Sequence, residues 1–225
     1  MTATPFGSAD WYCLNAHERQ QMFVLHGLKG ERLAAISTGS GRVAVVLAHQ
    51  AAGSLCQWWP YARSLAAGGF RVIAFDFDGF GASPQANNAY PGEVEAAAKW
   101  ARQEGARQVV LMGGSMGGTA VMVAAARLGS SITGVIDLSG PAQFSGMDAL
   151  TAARHVRVPV LFGYGRQDGA FAADVLAVRA GTASHYKPLV TVADQTHGAA
   201  LVDPQAGYAN VRQAVLTFIR SITHP

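Results

Sequence analysis

Residues 109–121, VVLMGGSMGGTAV, set a serine among glycines: Gly113-Gly114-Ser115-Met116-Gly117. This G-x-S-x-G spacing suits a tight strand-to-helix turn that pushes a serine hydroxyl out of the backbone, where it could attack a carbonyl. The pattern is cheap on its own, since roughly one chain in six of this glycine and serine content would carry it by chance. A serine hydroxyl also needs a base to take its proton, and the base needs an acid to fix its tautomer and stabilise its cation. Two residues beyond the ends of later strand-like segments have those types. Asp168 closes Gly165-Arg166-Gln167-Asp168, and His197 lies in Asp194-Gln195-Thr196-His197-Gly198. The chain order is Ser, Asp, His.

Other acids and bases fit less well. Asp137 is the second candidate acid, but it falls inside the apolar segment 134–138 rather than past its end; Asp174 comes third. Among seven histidines, His17, His26, His155, His185 and His224 do not follow a strand at the required edge. His49 does. His17-Glu18 opens no H-E-x-x-H pattern, because position 21 is Gln21, and there is no G-x-x-x-x-G-K or G-x-G-x-x-G loop for phosphates or dinucleotides.

The elements that must position these residues alternate. Apolar, β-rich segments occur at 43–48, 71–75, 108–112, 134–138, 158–163 and 187–192, with an opening hairpin at 22–28 and 32–37 turned by Gly27 to Gly30. Most of the later strands are continuously apolar, as parallel strands covered on both faces should be. Val94, Ala97, Ala98 and Ala101 mark one face of a helix over 92–104, and Tyr208, Val211, Val215, Ile219 and Ile222 mark another near the end. Residues 116–128 are small or apolar almost all round, which predicts a buried helix. With no repeat or linker, the pattern predicts one doubly wound α/β domain over 1–225, with function at the carboxyl ends of the strands.

In this frame the chain resembles the α/β-hydrolase family over about 22–222. The likeness rests on the G-x-S-x-G turn, the D-x-x-G-x-G-x-S segment from Asp76 to Ser83, Asp168 after the penultimate strand and His197-Gly198 after the last. It implies a mostly parallel eight-stranded sheet with helices on both faces. It also implies Ser115 as nucleophile, His197 as base and Asp168 as the acid behind it. The oxyanion hole would take the Met116 N–H and a second N–H from Ala51 or Gln50, and His49 would be structural. Phe144, Tyr164 and Phe171 are candidates for the pocket wall. Three departures stand out. His49-Gln50 occupies the place of a common His-Gly pair, Asp78 stands where arginine is frequent, and residues 139–157 have room only for one short helix over 147–155, with no substantial lid. The expected activity is hydrolysis of carboxylic esters of small or accessible acyl groups through an acyl-enzyme. Thioesterase, lactonase or dienelactone-hydrolase-like chemistry, or ligand capture with little turnover, are the alternatives.

Composition narrows the partners. The 225 residues are 50% hydrophobic and 14% charged, with a net charge of +3 and scattered basic residues, so a small-molecule ester is expected rather than nucleic acid or a membrane. No cofactor or metal is expected, and the number of subunits is open. Cys13 and Cys56 have no C-x-x-C spacing, so neither zinc nor a disulfide framework is implied, and both are expected to be small, buried or half-buried residues. Without a signal-like start, the expected location is the cytoplasm.

Overall fold

The computed structural model describes Phe6 and residues 11–223. In chain order its strands and helices are α1 (Ala16–Gln20), β1 (Phe23–His26), β2 (Arg32–Thr38), β3 (Val43–Ala48), α2 (Trp59–Ala67), β4 (Arg71–Phe75), α3 (Tyr90–Gln103), β5 (Gln108–Gly114) and α4 (Met116–Leu128). They continue with β6 (Gly134–Leu138), β7 (Gln143–Phe144), β8 (Met147–Asp148), α5 (Ala149–Ala153), β9 (Val160–Gly165), α6 (Ala170–Gly181), β10 (Leu189–Val192) and α7 (Ala209–Ile222). Eight strands form one sheet in the order β1-β2-β4-β3-β5-β6-β9-β10. The expected hairpin sets Phe23 opposite Ala35 and His26 opposite Arg32. The pairing of β2 with β4 is also antiparallel, and the others are parallel.

The apolar runs have a direct explanation. Successive side chains of a strand point to opposite faces. In β3, Ala44, Val46 and Ala48 join a core shared with α3 and α4, whereas Val45 and Leu47 face a second core built with α2 and α7. In β5, Val109 and Leu111 divide from Val110 and Met112 in the same way. A strand covered on both sides has no place for polar alternation.

Two strands start two residues later than expected, and a proline accounts for each. Pro159 has no N–H for the ladder, so β9 starts at Val160 and runs on to Gly165; Pro188 likewise delays β10 to Leu189. The shift puts Tyr164 inside β9. The expected helix over 147–155 is shorter, as α5, because β7 and β8 pair as a small hairpin before it and Asp148 caps it by accepting the Thr151 N–H at 2.8 Å. Among the described residues, only the β7–β8 hairpin and α5 lie between β6 and β9.

The cysteines correct the sequence expectation. Cys13 and Cys56 form a disulfide, with Cα atoms 5.4 Å apart. Spacing gave no sign of it, because the partners are 43 positions apart and meet only when residues 11–22 lie against α2. Glu18 fastens the same contact: it caps α1 with Asn15 and accepts hydrogen bonds from Trp59 Nε1 at 3.0 Å and from Arg63 Nη2 at 2.6 Å. Closing a loop of this length stabilises by about 4 kcal/mol on the chain-entropy account. Reduction should therefore lower the melting temperature by roughly 8–16 °C, read by thermal unfolding with and without a thiol reductant.

Candidate active site

Ser115 joins β5 to α4 in one step. Its backbone has φ +51° and ψ −120°, which an L residue adopts only under strain. Four glycines make the turn feasible. A Cβ on Gly113 would strike the Gly117 carbonyl, one on Gly117 the Ala48 carbonyl, and one on Gly118 the Asp137 carboxylate. A Cβ on Gly114 would stand 2.9 Å from the Ala199 nitrogen. The turn is pinned by the Ser115 N–H, which donates to the Leu138 carbonyl at 2.9 Å. Met116 is the first residue of α4, so its N–H has no intrahelical partner.

The histidine and the aspartate expected from sequence come together. His197 Nδ1 lies 2.7 Å from Asp168 Oδ2, and the two side chains are 26% and 8% exposed. Asp168 follows β9 in a turn closed by its own N–H on the Gly165 carbonyl at 2.9 Å. With the carboxylate accepting from Nδ1–H, the Nε2 lone pair of His197 is left to act. No hydrogen bond joins Ser115 Oγ to His197 among the described residues. The contact of Gly114 with the 198–199 backbone nevertheless sets the His197 loop directly against the serine turn. Phe171 packs on the imidazole, with ring centroids 4.4 Å apart. Tyr164 is buried in the core on β9, and Phe144 sits half-buried in the β7–β8 hairpin against the same core.

The loop after β3 separates Ala51 from Gln50. The Gln50 N–H donates to Gln57 Oε1 at 3.1 Å, so it is engaged, whereas the Ala51 N–H makes no hydrogen bond among the described residues. Gln57 is a residue that sequence reasoning missed. His49 is fully buried; its Nδ1 lies 2.7 Å from the Gln50 carbonyl and its Nε2 accepts the Phe77 N–H at 2.9 Å. Both bonds need the neutral ring with the proton on Nδ1, and burial pushes the pKa down to about 4. The Asp76–Ser83 segment fixes the far side of this loop. Asp76 accepts the N–H groups of Leu55 and Ala82, at 2.6 and 2.8 Å, and the Ser83 hydroxyl donates to the Asp76 carbonyl at 2.6 Å. Asp78 gathers the N–H groups of Ala86, Asn87 and Asn88 within 2.6 Å, which gives it a loop-holding task.

Asp137 stands in β6 opposite Gly113, accepts the Gly140 N–H at 2.9 Å and makes no contact with His197 by hydrogen bond. Burial raises its carboxyl to about 7. Glu93, also fully buried, accepts the Asp78 N–H at 2.9 Å, and burial raises it from 4.5 to about 8. The folded state therefore holds a proton on Glu93 that the unfolded chain has released. Its contribution is complete below about pH 4.5 and is lost as pH rises through 8. Glu93→Gln keeps an acceptor for Asp78 but cannot ionise. Its melting temperature relative to the native protein should climb between pH 5 and pH 8.5, measured by thermal scans across that range.

Among the described residues, no cluster of three or more His, Cys, Asp or Glu side chains could hold a metal ion, and no helix is long and apolar enough to cross a membrane. A family model described as the alpha/beta hydrolase fold matches residues 43–184, more than half of the chain. The chain belongs to the α/β-hydrolase family. The match spans Ser115 and Asp168 and ends before His197. Solved structures agree on the fold of this α/β-hydrolase. The Pyrococcus furiosus esterase Pf2001 superposes with a TM-score of 0.77 at 16% identity, covering 89% of this chain and 91% of its own. Est1E from Butyrivibrio proteoclasticus, solved with ferulic acid bound, gives 0.74 at 17% identity and 89% and 98% coverage. A Pseudomonas aeruginosa hydrolase gives 0.76 at 16% identity and 92% and 100% coverage. No relative among curated protein sequences matches.

Proposed function

We propose that this α/β-hydrolase is a serine hydrolase that cleaves carboxylic esters of small or accessible acyl groups. The observation that carries the reading is the 2.7 Å contact of His197 Nδ1 with Asp168 Oδ2, on loops packed against the strained Ser115 turn. In the proposed mechanism Ser115 Oγ attacks the acyl carbonyl as His197 Nε2 takes its proton. Asp168 holds the reactive tautomer and stabilises the imidazolium. The tetrahedral oxyanion accepts the N–H groups of Met116 and Ala51, neither of which donates to another group among the described residues, and the positive end of α4 adds to their effect. His197 then protonates the departing alcohol. Water, activated by the same ring, attacks the acyl-enzyme, and Ser115 regains its proton as the acid leaves.

The short segment between β6 and β9 supports substrates that need no enclosing cover. The disulfide supports an oxidising compartment over the expected cytoplasm, since thiols stay reduced in the cytosol. Turnover of p-nitrophenyl acetate and butyrate tests the function. Many equivalents of p-nitrophenol per protein are expected, with release stopped by one equivalent of a fluorophosphonate. A single equivalent released, or none, would contradict an enzyme and favour ligand capture.

A further inference from the structure

The residue that replaces a small one in the His-Gly pair has a side chain with a specific destination. Gln50 Oε1 accepts the Ala199 N–H at 2.5 Å, across 149 positions of sequence. The backbone of Gln50 is fixed independently. Its N–H donates to Gln57 Oε1 at 3.1 Å, and its carbonyl accepts from His49 Nδ1 at 2.7 Å and from the Gly53 N–H at 3.2 Å. The amide therefore extends from a rigid base.

Its surroundings are cut to fit it. Gly198 has φ +56°, and a Cβ there would strike the Gln50 amide; a Cβ on Gly114 would lie 3.3 Å from Gln50 Oε1. The carboxamide thus fills the space between the serine turn and the loop that carries His197. That loop links the end of β10 at Val192 to the 3₁₀ turn Gly198–Val202. Its first half is tied down by Asp194, which accepts the Thr196 N–H at 2.9 Å and the Tyr208 hydroxyl at 2.7 Å, whereas the backbone after His197 meets the serine side of the site through the Ala199 N–H bond to Gln50. Asp168 orients the imidazole at its tip, while the Ala199 N–H fixes the backbone two residues on.

We infer that Gln50 is a positioning residue, whose side-chain amide holds the His197 loop at its working distance from Ser115; this rests on the proposal that His197 is the base. A base displaced by about 1 Å can cost on the order of a hundredfold in rate, so one neutral hydrogen bond has leverage here that its effect on stability does not reveal.

The test is Gln50→Met, which keeps the length and volume of the side chain and removes the acceptor, assayed by steady-state hydrolysis of p-nitrophenyl acetate beside thermal unfolding. We expect kcat to fall about ten- to hundredfold, with KM changed by less than about twofold and the melting temperature moved by only a few degrees. Because Gln50 acts through His197, adding Gln50→Met to His197→Ala should change the residual rate, which comes from the oxyanion donors, by less than about twofold. Native kcat in Gln50→Met, while His197→Ala and Ser115→Ala cut turnover to a small residual rate, would overturn the inference and leave the catalytic reading intact. A full additional loss in the His197→Ala background would also overturn it, since the effect would then be a general structural one. Native turnover in His197→Ala would bring down the catalytic reading itself and the inference with it.

Discussion

Asp168→Asn lowers kcat by about 10⁴-fold while the protein stays folded, on the reading that Asp168 stands behind the base. The side chains have the same shape, so the loss comes from chemistry rather than packing. Asp168 Oδ2 accepts the Nδ1 proton of His197 at 2.7 Å. An asparagine that presents its NH₂ there forces the proton onto Nε2, the atom that must take the proton of Ser115. It also leaves the imidazolium without a counter-charge. Asp137→Asn is the comparison. Asp137 is bonded to the Gly140 N–H under the serine turn and does not reach His197 by hydrogen bond, so kcat should stay within about tenfold of native. Steady-state kinetics of both variants, with melting temperatures to show that each is folded, decide between the acids. The reverse order of losses would transfer the role to Asp137.

The second large effect is on the fold. Gly117→Ala destabilises by about 3 kcal/mol or more, because the new methyl meets the Ala48 and His49 carbonyls. Those are backbone atoms of the strand end and the oxyanion loop, and no rotamer change can move them aside. In a chain of this size the melting temperature should fall by roughly 6–12 °C. Gly207→Ala provides the control, since a Cβ at Gly207 meets nothing within 4 Å, and it should stay within about 0.5 kcal/mol of native. Activity should fall with stability in Gly117→Ala, because the displaced carbonyls belong to the loop that offers the Ala51 N–H.

What could be read in the sequence follows from local periodicity. The continuous apolar runs at β3 and β5 announce strands buried on both faces, and the glycines around Ser115 announce a crowded turn. Asp168 and His197 were legible because each follows a strand at the edge where loops converge. The contacts that escaped are long-range ones with no periodic mark. Cys13 finds Cys56 only through the path of the first residues over α2. Gln57 occupies the Gln50 N–H from the next turn of chain, which favours Ala51 in the proposed pair of donors. Tyr164, proposed for the pocket wall, lies within β9 and is buried in the core rather than on the loop beyond the strand. Gln50 itself was visible as a departure from the common pair; its reach to Ala199 was not.

The central claim is that Ser115 forms a covalent acyl-enzyme, and one measurement addresses it directly. The protein is incubated with a fluorophosphonate, digested, and the adduct located by peptide mass spectrometry, in parallel with loss of p-nitrophenyl acetate turnover. A single adduct on Ser115, forming at the rate at which activity disappears and absent from Ser115→Ala, is the predicted result. Turnover that persists in Ser115→Ala, or inactivation with the adduct on another residue, would contradict the account.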